Sequence, residues 1–557
     1  MIYPKKPLAQ TILQLCKAKN IKNIIISPGS RNAPLTIGFS NDDFFNCFSI
    51  VDERSAAFFG MGIAQQTKQP VALVCSSGSA LLNYYPAISE AFYSDIPLVV
   101  ISADRPKDKI DIGDGQTIRQ ENVYANHILY SANLEGGVED QDLNAEEINK
   151  ALNVALTDNG PVHINVPFEE PLYELVEAYS TTPKVVAPEN YEQPLSEVVL
   201  EHFIRAWNHT TKKMVLVGVL APNSLEEKFV KFLANDPSVL VFTETTSNLP
   251  HDNFFPGIDK IIAPLEKDVE KIAPLQPELL LTFGGMVVSK KIKAFLRKFQ
   301  PQHHYHVDPK KAYDTYFCLT NHFKMNLNSF FKKVLPELET VESTYRDTWL
   351  AVQEKREEKH EEYVNQIPYS DFKVYSTIFK AIPANSQLQL SNSSTIRYSK
   401  LFNLNPTLSV FCNRGTSGID GSVSTSMGAA IAHKTRTTLV TGDLSFLYDS
   451  NGLWNNYIRN DFRIIIVNNE GGGIFRILPG PKNTDYFDRF FETKHHHTAQ
   501  HLSKMYGFDY VKTTSMKELE IALASFFDSS TNPKILEIFT PRTVNDEILL
   551  NYFKFLA

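Results

Sequence analysis

Short apolar runs alternate with amphipathic stretches along the whole chain, and they do so in three series. The runs at 21–26, 71–75, 97–102 and 162–166 predict strands separated by helices, the rhythm of parallel βαβ units. It resumes at 214–220, 239–242, 279–283 and 304–307, and again at 387–390, 408–412, 437–441, 463–467 and 535–539. Polar sequence carrying Pro167, Pro171, Pro183, Pro188 and Pro194 divides the first series from the second and predicts a linker. A charged stretch over 345–364, with Glu354-Lys355-Arg356-Glu357-Glu358-Lys359 at its centre, predicts a solvated connecting helix before the third. The expectation is an α/β protein of three consecutive domains, 1–180, 190–345 and 366–557, each a mostly parallel sheet flanked by helices. No short-period repeat is visible.

Composition narrows the class. At 557 residues the chain is too long for one core. Hydrophobic residues at 43% and charged residues at 21% argue against disorder and against a fibrous class. A net charge of -8 gives no electrostatic case for nucleic acid. Cys16, Cys47, Cys75, Cys318 and Cys412 are scattered without a C-x-x-C pair, which fits a reducing compartment better than a disulfide framework or a zinc site. The start lacks the apolar core of a signal peptide, and no apolar run approaches the roughly 20 residues of a membrane span. A cytoplasmic protein is expected.

Open parallel sheets bind ligands outside the carboxyl ends of their strands, so the loops after the predicted strands are where chemistry is sought. One such loop is Gly442-Asp443-Leu444-Ser445-Phe446, and another is Asn468-Asn469-Glu470-Gly471-Gly472-Gly473. The first supplies a carboxylate, the second an amide oxygen and backbone carbonyls. These are hard donors of the kind Mg²⁺ prefers, and Mg²⁺ keeps further positions for water and phosphate oxygens. The pair suits a metal carrying a diphosphate; the alternative is a tight turn and a glycine-rich loop with no ligand. In the first domain, Ser27-Pro28-Gly29-Ser30-Arg31 leads into a helix start that favours an anion, or is an ordinary N-capped helix with a solvated arginine. Glu53 falls where an apolar strand hands over to a small-residue helix. Desolvation there raises a carboxyl pKa and suits it to proton transfer, unless Asp52-Glu53-Arg54 is only a salt-bridged helix start. Cys75-Ser76-Ser77-Gly78-Ser79-Ala80 is a small-residue turn open to close approach by a ligand or a partner subunit. Arg105 and Gln116 can bind carboxylate and hydroxyl groups, or lie on the surface.

The Gly-Asp pair, the helix after it and the Asn-Asn pair resemble the thiamin-diphosphate motif of the decarboxylase and carboligase superfamily. Five segments narrow the resemblance: Ser27 to Arg31 with Pro34-Leu35-Thr36, Asp52 to Ala56, Ile101 to Pro106, Asn413 to Gly421, and Gly442 to Asp449. Together they are similar to the menaquinone-pathway family that makes 2-succinyl-5-enolpyruvyl-6-hydroxy-3-cyclohexene-1-carboxylate. The segments span the first and third domains in the family's order, and the middle domain matches only in general character. The resemblance implies a transferase that decarboxylates 2-oxoglutarate on thiamin diphosphate and adds the succinyl unit to isochorismate. It implies that Glu53 is catalytic, hydrogen-bonding the aminopyrimidine ring, and that Asp443, the Asn469 side chain and the Gly471 carbonyl hold Mg²⁺ or Mn²⁺. Cofactor contacts would come also from Ser77, Gly78, Ser417, Gly418, Gly442, Leu444, Ser445 and Gly472, with Ile419 wedged beneath the cofactor.

Both implied substrates are dicarboxylates, and arginine, the better planar partner for a carboxylate, stands at the loop ends although lysine outnumbers it more than twofold. By resemblance Ser393, Arg397 and Arg414 face the 2-oxoglutarate-derived unit, and Ser30, Arg31, Arg105, Gln116 and Lys291 face isochorismate. Ile474, Phe475 and Leu478 line an apolar wall, or belong to the core. Gly115 precedes Gln116 where the family has an asparagine, so one polar contact to isochorismate is either absent or supplied from elsewhere. The resemblance also implies at least a homodimer, or a homotetramer, with each active site shared between the first domain of one subunit and the third of another. The middle domain has no G-x-G-x-x-G and no P-loop, so no nucleotide site is expected there. His495-His496-His497 lacks a carboxylate-bearing metal pattern and is assigned no function. Two other readings stay open: another thiamin-diphosphate decarboxylase or carboligase, which would not need Arg31, Arg105, Arg397 and Arg414 together, and a non-catalytic cofactor-binding regulator, which would not need Glu53.

Overall fold

The computed structural model describes residues 2–137, 139–189, 196–477, 482 and 484–557. Three parallel sheets follow one another along the chain. The first has six strands in the spatial order Asn46–Ser49, Asn23–Ile26, Val71–Cys75, Leu98–Asp104, Val162–Pro167, Tyr130–Asn133. The third has the order Ser409–Cys412, Gln387–Leu390, Thr437–Gly442, Arg463–Asn468, Lys534–Phe539, Asp509–Thr513. Counted along the chain, both run 2-1-3-4-6-5, so the outer domains share one topology despite unlike sequences. The central sheet, Val239–Phe242, Lys213–Val217, Leu279–Phe283, His303–Val307, Asn321–Phe323, runs 2-1-3-4-5. In each, the order reverses between the first and third strands in sequence, and the loops there open a crevice.

Every inner strand is among the predicted ones, because strands covered on both faces must be continuously apolar, and so are the apolar edge strands Val239–Phe242 and Ser409–Cys412. Val71–Cys75 and Leu279–Phe283 are buried along their whole length. The predicted run at 214–220 is cut at Val217, where Gly218 packs its backbone on Gly285; a Cβ there would lie 1.8 Å from the Gly285 carbonyl oxygen. Tyr130–Asn133, Asn321–Phe323 and Asp509–Thr513 lack an apolar run and all sit at sheet edges, where one side is open to polar residues.

Two expectations about the connections change. The proline-bearing stretch is not free over its first part: Leu175–Val176 pairs antiparallel with Tyr3–Pro4, and Asn149 and Lys19 hold the Lys184 and Val186 carbonyls, so it straps the first domain. Pro194 and the start of the expected middle domain at 190 lie outside the described residues. The charged helix, Tyr345–Gln366, is solvated on one face only. Trp349 packs in the central core and Tyr363 in the third, and Arg356 and His360 are buried between them.

The first and third domains share one core. Phe58, Phe59 and Met61 of the helix Glu53–Thr67 pack with Val423, Met427 and Ala430 of the helix Ser422–Ala432. The two helices approach backbone to backbone. A Cβ on Gly62 would lie 2.1 Å from the Thr425 carbonyl oxygen, and one on Gly428 1.9 Å from that of Phe59. This close crossing fixes how the helix begun by Glu53 sits relative to the third sheet.

Candidate functional site

Loops at the switch point of the first sheet enclose a cavity of about 280 Å³ lined by Ser30, Glu53, Ser77, Gly78 and Gln116, with Pro28 and Gly29 at its rim. Asp52 caps the helix Glu53–Thr67, its carboxylate accepting from Ser55 N at 3.2 Å, which places Glu53 in the first turn. Among the described residues the Glu53 side chain bonds to no other residue. Burial, with the Asp52 charge beside it, raises its pKa. Ser77 is buried with its hydroxyl unpartnered. Gly78 adopts φ +86° and its N–H is pinned by Gln120 at 2.9 Å. All the residues lining this cavity come from the first domain.

The other half is built on the third sheet. Asp443 opens the helix Asp443–Tyr448; its Oδ1 accepts from Leu444 N at 2.7 Å and its Oδ2 from Gly471 N at 2.9 Å. Gly471 has φ +146°, and a Cβ there would lie 2.5 Å from the Glu492 carbonyl oxygen, so the loop tolerates only glycine. Gly472 N donates to that same carbonyl. Asn469 is buried, and its Nδ2 donates to Asp371 at 2.8 Å, which leaves Oδ1 without a donor among the described residues. Asp371 is itself fixed by Thr540 at 2.5 Å, and burial pushes its carboxyl up to about 6. The donor set of a carboxylate, an amide oxygen turned free of its amide nitrogen, and the Gly471 carbonyl fits a hard divalent cation. Among the described residues no group of three His, Cys, Asp or Glu could hold one.

Around this half, Ser445 Oγ donates to the Ile419 carbonyl at 2.7 Å, and Gly418 is held through its carbonyl by Asn392. Ser417 takes φ +62°. Arg414 donates from Nη1 to Asn392 Oδ1 at 2.6 Å while its buried Nε has no partner. Arg397 donates to the Ser393 carbonyl at 2.9 Å; its surroundings and the Arg414 guanidinium beside it lower its pKa. Neither arginine forms an ion pair among the described residues. Ile474 is half-buried and Phe475 exposed in the single chain. Leu478 lies outside the described residues.

The expected acceptor residues are not all brought together. Ser30 and Gln116 line the first-domain cavity with Glu53, but Arg31 turns to the Phe168 carbonyl at 2.9 Å and to Glu170 at 3.2 Å, leaving Nε buried and unpaired. Arg105 chelates the Gly115 carbonyl at 2.7 and 3.1 Å, fixing the loop that carries Gln116. Lys291 stands on the central helix Lys290–Lys298, paired with Glu266 at 2.5 Å. A larger cavity, about 610 Å³, opens at the central sheet's switch point against Phe411, Arg414, Gly415 and Thr416; neither Glu53 nor Asp443 lines it.

Sequence reasoning missed two neighbours of the metal-type site. Asp371 starts a helix in a region without a motif, and its pairing with Asn469 spans 98 residues. His495, left without a role, has Nε2 3.2 Å from Asp443 Oδ2, which raises its pKa, and its ring stacks on His497 at 5.3 Å. No local signal announces either.

Three family models match the chain in order: the N-terminal TPP binding domain of thiamine pyrophosphate enzymes over 6–126, the middle domain of thiamine pyrophosphate enzymes over 186–390, and the C-terminal TPP binding domain over 393–538. Relatives described as 2-succinyl-5-enolpyruvyl-6-hydroxy-3-cyclohexene-1-carboxylate synthase align end to end. That of Flavobacterium psychrophilum is 56% identical and that of Christiangramia forsetii 55%, each over 100% of both chains. That of Porphyromonas gingivalis is 36% identical over 100% of this chain and 98% of its own. A chain with two half-sites at matching switch points, an oxygen-donor loop pair and these relatives along its full length belongs to the thiamine pyrophosphate enzymes and, among them, to the 2-succinyl-5-enolpyruvyl-6-hydroxy-3-cyclohexene-1-carboxylate synthase family.

Proposed function

We propose that the protein is a transferase of menaquinone biosynthesis that takes 2-oxoglutarate and isochorismate to 2-succinyl-5-enolpyruvyl-6-hydroxy-3-cyclohexene-1-carboxylate, with loss of CO₂. The observation that carries the reading is the neighbouring pair Arg397 and Arg414, neither of which forms an ion pair among the described residues, although the Asp259 charge acts on Arg397. Two guanidiniums without an ion pair suit the distal carboxylate of 2-oxoglutarate and have no task toward a monocarboxylate such as pyruvate.

Thiamin diphosphate, when bound, supplies the carbon nucleophile and the electron sink that decarboxylation and carbon–carbon bond formation require. The protein's residues orient and exclude. Asp443, the Asn469 amide oxygen and the Gly471 carbonyl would hold Mg²⁺ or Mn²⁺ with the diphosphate, and the bond from Asn469 Nδ2 to Asp371 fixes that amide. Glu53, whose carboxyl pKa burial raises, would hydrogen-bond the aminopyrimidine ring and act as the proton-carrying group there. Ser77, Gly78, Ser417, Gly418, Gly442, Leu444, Ser445 and Gly472 would contact the cofactor, with Ile419 wedged beneath it. Ser393, Arg397 and Arg414 would receive 2-oxoglutarate; Ser30 and Gln116 would receive isochorismate, joined by Arg31, Arg105 and Lys291 once they leave Glu170, the Gly115 carbonyl and Glu266. Ile474 and Phe475 exclude water. A first-domain cavity without third-domain residues supports a homodimer or homotetramer that closes each site between subunits, and the free, scattered cysteines fit the cytoplasm. Among the described residues no helix is long and apolar enough to cross a membrane.

Release of labelled CO₂ from carboxyl-labelled 2-oxoglutarate and from pyruvate tests the substrate. Release from 2-oxoglutarate that Arg414→Ala suppresses about 10-fold or more, the loss of one charge-assisted contact, supports the reading; equal release from pyruvate contradicts it.

A further inference from the structure

Glu90 lies on the helix Tyr85–Ser94 of the first domain, 2% exposed, with no cation paired to it among the described residues. A buried carboxylate without a cation must be satisfied by hydrogen-bond donors. They come from the third domain of the same chain. Oε1 accepts from Gly415 N at 2.5 Å, and Oε2 from Thr416 N at 2.7 Å, Thr416 Oγ1 at 2.8 Å and Ser417 N at 3.3 Å, with Ser94 Oγ adding a bond to Oε1 at 2.8 Å. Three successive backbone N–H groups converging on one anion form a nest, and the left-handed φ of +62° at Ser417 gives the loop that curvature. The contact is as close as backbones allow: a Cβ on Gly415 would lie 2.4 Å from the Glu90 carbonyl oxygen.

The nest lies between a residue assigned to 2-oxoglutarate, Arg414, and two assigned to the cofactor, Gly418 and Ile419. Arg414 immediately precedes it, and Gly418 and Ile419 immediately follow. Asn392 ties the flanks, holding Arg414 Nη1 at 2.6 Å and the Asn413 and Gly418 carbonyls at 2.7 Å. Asn392 fixes the ends of the loop while Glu90 fixes its middle. Without Glu90 the Gly415, Thr416 and Ser417 N–H groups lose the acceptor that holds the middle of the loop, and Arg414 is left anchored by Asn392 alone at one flank.

We propose that Glu90 is a positioning residue for 2-oxoglutarate: it clamps the loop of the third domain so that Arg414 is presented to the substrate, and thereby makes half of the site depend on the first domain of the same chain. The inference rests on the reading of Arg414 as a carboxylate partner. In Glu90→Gln the amide nitrogen faces N–H donors in place of one acceptor. With the holoenzyme loaded with thiamin diphosphate and Mg²⁺, the KM for 2-oxoglutarate rises at least about 10-fold in Glu90→Gln, as in Arg414→Ala. The KM for isochorismate stays within about 2-fold, and the 415–417 amides exchange with solvent at least about 10-fold faster. Glu90→Asp, which restores the carboxylate on a shorter stem, recovers part of both effects. If Arg414→Ala raises the 2-oxoglutarate KM and Glu90→Gln does not, the inference is overturned and the reading of Arg414 stands. If neither raises it, that reading fails and the inference falls with it. Equal rises in both substrate KM values together with a lowered unfolding midpoint would mean that Glu90 only holds the fold, and overturn it as well.

Discussion

In the proposed function Glu53 is the residue on which the chemistry turns, and its signal was local: a carboxyl at the junction of an apolar run and a small-residue helix. The structure adds that its side chain faces a cavity and that burial raises its pKa. Glu53→Gln is expected to lower kcat by about 100-fold or more, the usual worth of a positioned proton carrier, while thiamin diphosphate still binds by calorimetry. Loss of binding to the same degree would remove it from the catalytic role. Asp449 was not singled out in the sequence at all. It is fully buried, accepts from Ser424 N at 2.7 Å and Ser424 Oγ at 2.9 Å, and desolvation pushes its carboxyl from 3.8 up to about 7 in spite of those bonds. Between those two values the folded protein keeps a proton that the unfolded chain has released. Its contribution to stability is therefore full below the lower value and fades as pH rises through the upper one. Asp449→Asn cannot ionise, so its thermal midpoint should gain on that of the parent from about pH 5 to about pH 8. A difference independent of pH would mean that Asp449 does not titrate there. Residues whose chemistry depends on a distant partner were hidden from the sequence: Asp371 is defined by Asn469, His495 by Asp443, and Glu90 by a loop 325 residues away.

Among the elements, strands buried along most of their length were legible, including Val239–Phe242 and Ser409–Cys412 at sheet edges, and polar edge strands were not, for one physical reason. A strand covered on both faces writes a continuous apolar run, whereas Tyr130–Asn133 or Asp509–Thr513 has one side free and carries ordinary polar sequence. Helix–helix contacts were equally silent, although Gly62 and Gly428 stood in plain view as small residues. Only the packed helices reveal that Gly428 meets the Phe59 backbone, where nothing can yield. Gly428→Ala should overpack this crossing, costing about 1–3 kcal/mol and lowering the urea midpoint. Gly136→Ala, where a Cβ meets nothing within 4 Å, should stay within about 0.5 kcal/mol of the parent. Equal shifts would mean that the crossing can relax and does not set the orientation of the Glu53 helix.

At the scale of the molecule, the three-part rhythm was plain, but the shared 2-1-3-4-6-5 order of the outer sheets was not, because topology leaves no periodic mark in the residues. That order gives each outer domain an equivalent crevice. Glu53 lies at one and Asp443 at the other, and the first-domain cavity contains nothing from the third. If sites close between subunits, Glu53→Gln and Asp443→Ala chains, each inactive alone, should regain up to about one quarter of parental activity when mixed and allowed to exchange, since half the dimers then hold one intact site of two. No recovery despite verified exchange would assign both residues to a site within one chain. The central claim, that the two half-sites together join 2-oxoglutarate to isochorismate, is tested most directly by following the absorbance of isochorismate with 2-oxoglutarate, thiamin diphosphate and Mg²⁺ each present or omitted. The account predicts loss of isochorismate only when all three are present; isochorismate that persists while 2-oxoglutarate is decarboxylated would contradict it.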